Sequence, residues 1–325
     1  MRAVHPRAMN IRRDNTPPGH LPVLLKETMD LLQCRPGAIV IDATLGLGGH
    51  ALAILERIQP GGLLIGFDRD QESIDRARAR LEPFKNSVRL FHENYKNLPL
   101  VLNNLGLNEI DAILVDLGIS SYQLLSPERG FSFQSDDVLD MRMDRAQRLT
   151  AADLVNGLQE EQLAGIIYRF GEERLSRRIA AAIVATREQK QITRCSQLAE
   201  IVARAMRVRG FLSVHPATRT FQALRIAVNQ ELEGLEEFCA EAASFLKPGG
   251  RIAVIAFHSL EDRIVKRAFR SLSGQCVCER PPELCMCPRK EVAHLVTTKV
   301  VKPGAGELDL NPRARSARLR VLEKL

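Results

Sequence analysis

No run of apolar residues in this chain approaches the ~18–20 that a membrane span requires, so the sequence reads as having no bilayer-crossing helix. A secretory leader is missing too. The opening stretch MRAVHPRAMNIRRDNTPPGH is Arg-rich and interrupted by Pro17-Pro18, with no apolar centre. It also lacks serine, and its prolines would break the amphipathic helix of a transit peptide, so residues 1–20 are expected to be a disordered basic tail. Seven cysteines in 325 residues do not make the disulfide framework of a small secreted domain. Reduced thiols and a cytoplasmic setting are expected instead. Internal repeats are absent as well, which excludes a solenoid.

What is present is an ordinary globular balance, 45% hydrophobic and 26% charged, enough to bury a sizeable core. The length allows one enlarged domain or two, and the pattern along the chain favours one large domain carrying an inserted smaller one. Net charge is +7, concentrated at the end: NPRARSARLRVLEKL holds Arg313, Arg315, Arg318, Arg320 and Lys324 against Glu323. Such clustering suits a phosphate backbone, but on charge alone a solvated, solubilising face is the favoured reading. Self-association, a homodimer included, is left open.

From Ala38 short apolar runs alternate with helical patterns, the signature of βα units. Strands are expected over residues 38–44, 63–68, 87–91 and 111–116, with helices between them. This places Asp68, His92, Glu93, Asn94 and Asp116 along one carboxyl edge, where open α/β sheets bind ligands. From 121 to 215 the pattern is helical without a parallel strand: Thr150 begins a capping box with Asp153, amphipathic stretches at 160–169 and 172–187 meet at Gly171, and a further helix covers about 196–206. One long helix then carries Phe221, Leu224, Val228, Leu232, Leu235, Phe238, Ala242 and Phe245, ended by Lys247-Pro-Gly-Gly250. A fifth strand follows at 251–257, and HLVTTKV and ARLRVLEKL alternate like late antiparallel strands. The expected fold class is α/β, a doubly wound, mainly parallel sheet over residues 21–120 and 216–325, with an inserted helical domain at 121–215 that recognises substrate.

The strand-turn-helix passage DATLGLGGH is a nucleotide-binding arrangement, because glycines let the backbone approach a ligand at a helix start. Gly46-x-Gly48-x-x-Ala51 satisfies the dinucleotide pattern, and Asp68 stands at the distance of a ribose-binding acid, so a nicotinamide oxidoreductase is one reading. S-adenosylmethionine is the other. Its ribose diol equally needs an acceptor such as Asp68, and a carboxylate favours its cationic sulfonium. The insert directly after the fourth strand, the terminal strand pair and the basic C-terminus favour this second reading.

The blocks DATLGLGGH, GFDRD, HENY, LVDLGISSYQL, ERGFSF, LDMRMD, FGEER, HPATRTFQALRIAVNQEL, FHSLEDR and NPRARS carry a resemblance. From about His20 to the C-terminus the sequence resembles the MraW (RsmH) family of ribosomal RNA cytosine-N4 methyltransferases. The resemblance implies a class I S-adenosylmethionine-dependent methyltransferase fold and methylation of the exocyclic amine of a cytidine in the decoding region of 16S RNA, within the small ribosomal subunit. It further implies that Gly48, Gly49 and His50 line the methionine end of the cofactor, Asp68 the ribose, Tyr95 the adenine, and Asp116 and Gln123 the remaining edge. A non-catalytic ribosome-assembly factor retaining the cofactor site is the alternative within the same resemblance.

Residue chemistry narrows the reaction separately. Methylating carbon 5 of a pyrimidine needs a nucleophilic cysteine, and DLGISS contains none. An exocyclic amine needs no covalent intermediate, but its delocalised lone pair requires an acceptor to hold the N–H and orient nitrogen, and Asp116 is the candidate. Other amino-group methyltransferases carry Asp/Asn-Pro-Pro-aromatic here, whereas this chain has Asp116-Leu-Gly-Ile119. A stacking face must come from elsewhere, and Tyr122, Phe131 and Phe133 are candidates, with core packing the alternative for both phenylalanines. In FHSLEDR, His258 and Ser259 are candidates to position the amine or a phosphate, and Asp262 and Arg263 to cap the helix or form a structural pair. No G-x-S-x-G elbow surrounds Ser259. Of the many arginines in and beside the insert, Arg142 and Arg219 are the candidate RNA-phosphate contacts. Cys276-x-Cys278 and Cys285-x-Cys287 offer four thiols, which zinc or simply a reduced, mobile arm would explain.

Overall fold

A computed structural model describes residues 22–133, 136–207, 215–278, 280, 284–286 and 289–325. The expected tail at 1–20 and Cys287 lie outside the described residues. The strands are β1 (Ile39–Asp42), β2 (Leu63–Asp68), β3 (Val88–His92), β4 (Ile110–Asp116), β5 (Leu246–Ala256), β6 (Ala293–Leu295) and β7 (Arg318–Lys324), in the sheet order β3-β2-β1-β4-β5-β7-β6. The first five pair in parallel, while β7 is antiparallel to both β5 and β6. The central strands are apolar along their length because both faces of the sheet are covered, whereas β3 at the edge is only partly buried.

Four helices accompany the first strands: α1 (Leu25–Leu32), α2 (Gly49–Ile58), α3 (Gln71–Arg80) and α4 (Leu98–Asn104). Six follow β4, namely α5 (Ser121–Leu125), α6 (Ala151–Gly157), α7 (Glu160–Gly171), α8 (Ser176–Arg187), α9 (Cys195–Met206) and α10 (Thr218–Asn229). Then come α11 (Leu235–Ser244), α12 (Ser259–Leu272) and α13 (Ala305–Leu310). One face of the sheet buries Met29, Ile54, Leu55, Ile58 and Ile74 from α1 to α3. The opposite face buries Leu98 and Leu102 of α4, Phe238 and Ala242 of α11, and Val265 and Phe269 of α12. The chain is therefore doubly wound, and strand order reverses between β1 and β4, which opens a crevice at their carboxyl ends.

A separate apolar cluster unites Phe131, Leu139 and Met141 with Leu154, Leu163, Ile167, Ile179, Ile183, Leu198 and Val202 of α6 to α9. Phe221, Leu224 and Val228 of α10 bury in this cluster too, so the change of core comes after α10 and not at residue 215. The single long helix expected over 221–245 is in fact α10 and α11, separated by a turn that Gln230 starts in the left-handed region at φ 50. Its apolar period runs through the turn because each half faces a different core. Asn229 is drawn out of helical use: its Nδ2 donates to the Met141 carbonyl at 2.7 Å and its Oδ1 accepts the Met143 N–H at 2.7 Å. Lys247-Pro-Gly-Gly250 likewise falls inside β5, at a register shift against β4 between Ile110 and Ala112. Among the described residues no helix is long and apolar enough to cross a membrane.

Helix α7 crosses α10 closely at Gly171, where an added Cβ would lie 2.6 Å from the Arg219 backbone oxygen, while Gly165 on the same helix has nothing within 4 Å. Gly171→Ala is expected to lower unfolding free energy by ~1–3 kcal/mol through overpacking. Gly165→Ala should raise it by ~0.5–1 kcal/mol through helix propensity. Urea denaturation of both variants checks the opposite signs.

Candidate active site

The floor of the crevice is the turn between β1 and α2. Gly46 and Gly48 hold φ of 51 and 74, a left-handed region that only glycine adopts without strain. This turn lets the Gly46 N–H reach Asp68 Oδ2 at 2.7 Å. Gly49 and His50, Asp68, Tyr95, Asp116 and Gln123 all line a cavity of about 400 Å³. Gly48 stands one residue behind the lining as the N-cap of α2, where it turns the chain instead of facing the cavity.

Carboxyl groups crowd the strand ends. Asp42 closes β1, Asp68 closes β2, Asp116 closes β4, and Glu261 approaches from the first turn of α12. Burial pushes Asp116 well above the usual carboxylate range, and the charges of Asp42 and Glu261 push the same way. Burial also raises Asp42 to about 7, opposed by the Thr44 N–H and aided by Asp68. Asp68 rises to about 6, again through burial, although the N–H groups of Asp70 and Gly46 work against the rise. Asp116 Oδ1 and Asp42 Oδ2 have no hydrogen-bond partner among the described residues. His50 Nε2 donates to the Val23 carbonyl at 3.0 Å, which leaves Nδ1 facing Asp116 Oδ2 at 3.5 Å.

Gln123 is buried and has two duties. Its Oε1 accepts the Ser120 N–H at 3.0 Å in a capping box on α5, and its Nε2 donates to Asp70 Oδ2 at 2.8 Å. The same oxygen accepts Arg129 Nη2 at 2.8 Å. Arg129 is 1% exposed and also reaches Glu72 and the carbonyls of Arg142 and Met143. Sequence reasoning missed this arginine, which lay inside the quoted block ERGFSF with nothing in its charge to mark it as buried. It ties the loop after β2 to the start of the insert.

His258 and Ser259 sit differently from expectation. His258 caps α12: its Nδ1 accepts the Glu261 N–H at 3.3 Å, and its Nε2 lies 3.2 Å from Glu261 Oε1 without hydrogen-bond alignment. Burial works to raise Glu261, but contact with His258, the charges of His258 and Arg225, and the Phe257 N–H overcome it and hold the carboxyl below its usual value. Glu261 Oε2 accepts that N–H at 2.8 Å, fixing Phe257, whose ring lines the cavity. Ser259 donates its hydroxyl to Glu172 at 2.6 Å, and Arg263 donates to the same carboxylate at 2.9 Å, so both tie α12 to the end of α7. Asp262 and Arg263 do not pair with each other: Asp262 instead binds Arg320 at 2.7 Å and Arg318 at 3.1 Å on β7. These C-terminal arginines are therefore spent inside the fold. Arg313, with Asn311, instead lines the cavity.

None of the three aromatics considered for stacking lines the cavity. Phe131 is buried in the insert core, and Phe133 stacks on His215 at 4.5 Å. Tyr122 donates to Glu72 and has the Arg76 guanidinium 4.0 Å over its ring. The cavity aromatics are Tyr95, edge-on to Phe238 at 4.6 Å, and Phe257. Arg142 is chelated by Asp140 at 2.7 and 2.8 Å and by the carbonyls of Arg145 and Gln147, which leaves little for a phosphate. Arg219 is 58% exposed, with looser contacts to the Glu172 carbonyl and Glu173. Other lining groups that sequence reasoning passed over are Val23, Arg225 and Glu231.

Residues 18–325 match the model of the MraW methylase family. The chain is similar to the ribosomal RNA small subunit methyltransferase H of Halothermothrix orenii, at 49% identity over 313 residues, 94% of this chain and 98% of the relative. Similarity to the methyltransferase of the same name from Geotalea uraniireducens is 50% over 308 residues, again 94% and 98% of the two chains. Among solved structures, an rRNA methylase from Streptococcus thermophilus covers 94% of this chain and 99% of its own at TM-score 0.39 and 12% identity, a likeness too loose to add to the assignment. With one family model spanning nearly its whole length and relatives about half identical across it, the chain belongs to the MraW methylase family.

Proposed function

We propose that the chain transfers a methyl group from S-adenosylmethionine to the exocyclic N4 amine of a cytidine in the decoding region of 16S ribosomal RNA, acting in the cytoplasm on the RNA or on the small subunit that contains it. The observation that carries this reading is the Asp116 carboxyl, buried at the end of β4 with Oδ1 lacking a partner on a glycine-floored crevice. Family membership supports methyl transfer over the nicotinamide and non-catalytic readings.

The lining residues fit the cofactor. A cavity of about 400 Å³ falls in the ~300–1,000 Å³ range of small-molecule sites, and its buried carboxyls favour a cation. The methionine end belongs with Gly49 and His50, the ribose diol with the carboxylate of Asp68, and the adenine with the ring of Tyr95. Gln123 and Asp116 close the remaining edge. When bound, S-adenosylmethionine supplies an electrophilic methyl on a cationic sulfur.

Asp116 accepts an N–H of the target amine and turns the nitrogen lone pair out of conjugation with the ring. As the new carbon–nitrogen bond forms, the amine becomes acidic and its proton passes to Asp116, whose raised affinity for protons suits the task. The products are N4-methylcytidine, the demethylated cofactor and one proton, with no covalent link to the protein. Phe257 supplies the apolar face for a base withdrawn from its stack. His258 acts through Glu261 to hold Phe257, and Ser259 keeps the insert in place. Arg219 and Arg313 are the phosphate contacts.

Asp116→Asn preserves volume and removes the carboxylate that takes the proton, so methyl transfer to 30S particles should fall by ~10²–10⁴-fold, with cofactor affinity within about tenfold of wild type. Single-turnover assays with labelled cofactor check this, and near-normal transfer would refute the role. Arg219→Glu should weaken RNA binding at every sequence and lower the salt slope by about one to two. Filter binding across a salt series measures it.

A further inference from the structure

Beyond α12 the chain leaves the sheet and returns as β6, enclosing an arm of residues 273–292. Backbone contacts close the base: Ser273 bridges Glu291, and the Val292 N–H donates to the Leu272 carbonyl at 2.9 Å. No described residue of the arm joins any of the three apolar clusters, and Leu284 and Met286 are 64% and 84% exposed. Hydrophobic burial therefore does not offset the entropy of ordering this segment.

Three thiols nevertheless converge within it. Cys276 Sγ lies 3.3 Å from both Cys278 Sγ and Cys285 Sγ, and the three ligand atoms all fall within 4.8 Å of one another. Thiol–thiol hydrogen bonds are weak, and the separations far exceed the ~2.05 Å of a disulfide. Coordination of thiolates to one metal ion draws three sulfurs together at comparable distances.

We propose that Cys276, Cys278 and Cys285 ligate a zinc ion that staples the arm to the end of α12. Zinc–thiolate bonds of about 2.3 Å place sulfurs about 3.8 Å apart in a tetrahedron, so the two contacts of Cys276 need to lengthen by only about half an ångström. Soft sulfur ligands select zinc over magnesium or calcium, which prefer oxygen. Each thiol gives up its proton on binding, and the three thiolates leave the site with one net negative charge. Cys287 lies outside the described residues, and the site rests on the three thiols alone.

The test is metal analysis of the full chain purified with reductant and without chelator. About one zinc per chain is expected by plasma mass spectrometry. Cys276→Ser and Cys278→Ser should each lower the content by about tenfold or more, while Cys34→Ser, on the far side of the sheet, retains it. Cobalt(II) reconstitution gives a second reading that needs no variant: thiolate-to-cobalt charge-transfer absorption should appear in the wild-type chain. Wild-type protein with neither zinc nor that absorption overturns the proposal. So does zinc retained in full by both arm variants.

Discussion

Carboxyl groups are costly to bury, and three of them end adjacent parallel strands here. Asp42, Asp68 and Asp116 are held at the crevice by the sheet itself: the register pairs Asp42 with Gly66 of β2 and Leu114 of β4, so Asp68 and Asp116 each stand two residues beyond it. Burial raises all three above the usual carboxylate range, which favours protons on the apo site that a cation would displace. The glycine turn, the Asp68 hydrogen bonds and the His50 contact all serve to keep these groups in place. A cationic sulfonium and a hydrogen-donating amine are the complementary guests.

Residues between β4 and α11, among them Gln123, Leu124, Met143 and Arg225, line this cavity from one side, and polar ties join the stretch to the sheet domain beside the apolar packing of α10. Arg129 pins its beginning to Asp70, Asn229 and Arg69 hold the LDMRMD loop against the turn after α10, and Glu172 ties the end of α7 to Ser259 and Arg263. The exposed Glu172 link is open to water and worth less than the buried one around Arg129. The α7–α12 contact is thus the more water-exposed of the two, next to the proposed phosphate contact Arg219.

The sequence made the sheet legible because buried parallel strands are short apolar runs bounded by turns, and the late antiparallel pair alternated as such strands do. Apolar periodicity failed at 221–245, where two helices serving different cores share one phase and a single asparagine marks the break. The cofactor side of the site was readable from glycine spacing and from acids at strand ends. Polar pairing was not. Arg142 read as a phosphate contact, and Arg318 and Arg320 as part of a solvated basic cluster, yet each is committed to an aspartate that lies near only in the fold or in a tight local loop. Phe257 was hidden for a related reason: its place in the cavity depends on Gly118 opposite it, whose added Cβ would come within 3.1 Å of the ring. Ser259 and His258 had the right chemistry in the right block, and only geometry could show that one braces the insert and the other a glutamate.

The account turns on protons held by the apo carboxyls. With burial raising Asp42 to about 7, Asp68 to about 6 and Asp116 well above the usual carboxylate range, a cation bound at pH ~6.5 shifts these groups toward ionisation and releases protons. Calorimetric titration of S-adenosylmethionine in buffers of different ionisation enthalpy measures this directly. Net release on the order of half a proton or more per ligand is predicted. A binding heat independent of the buffer, or proton uptake, would contradict it.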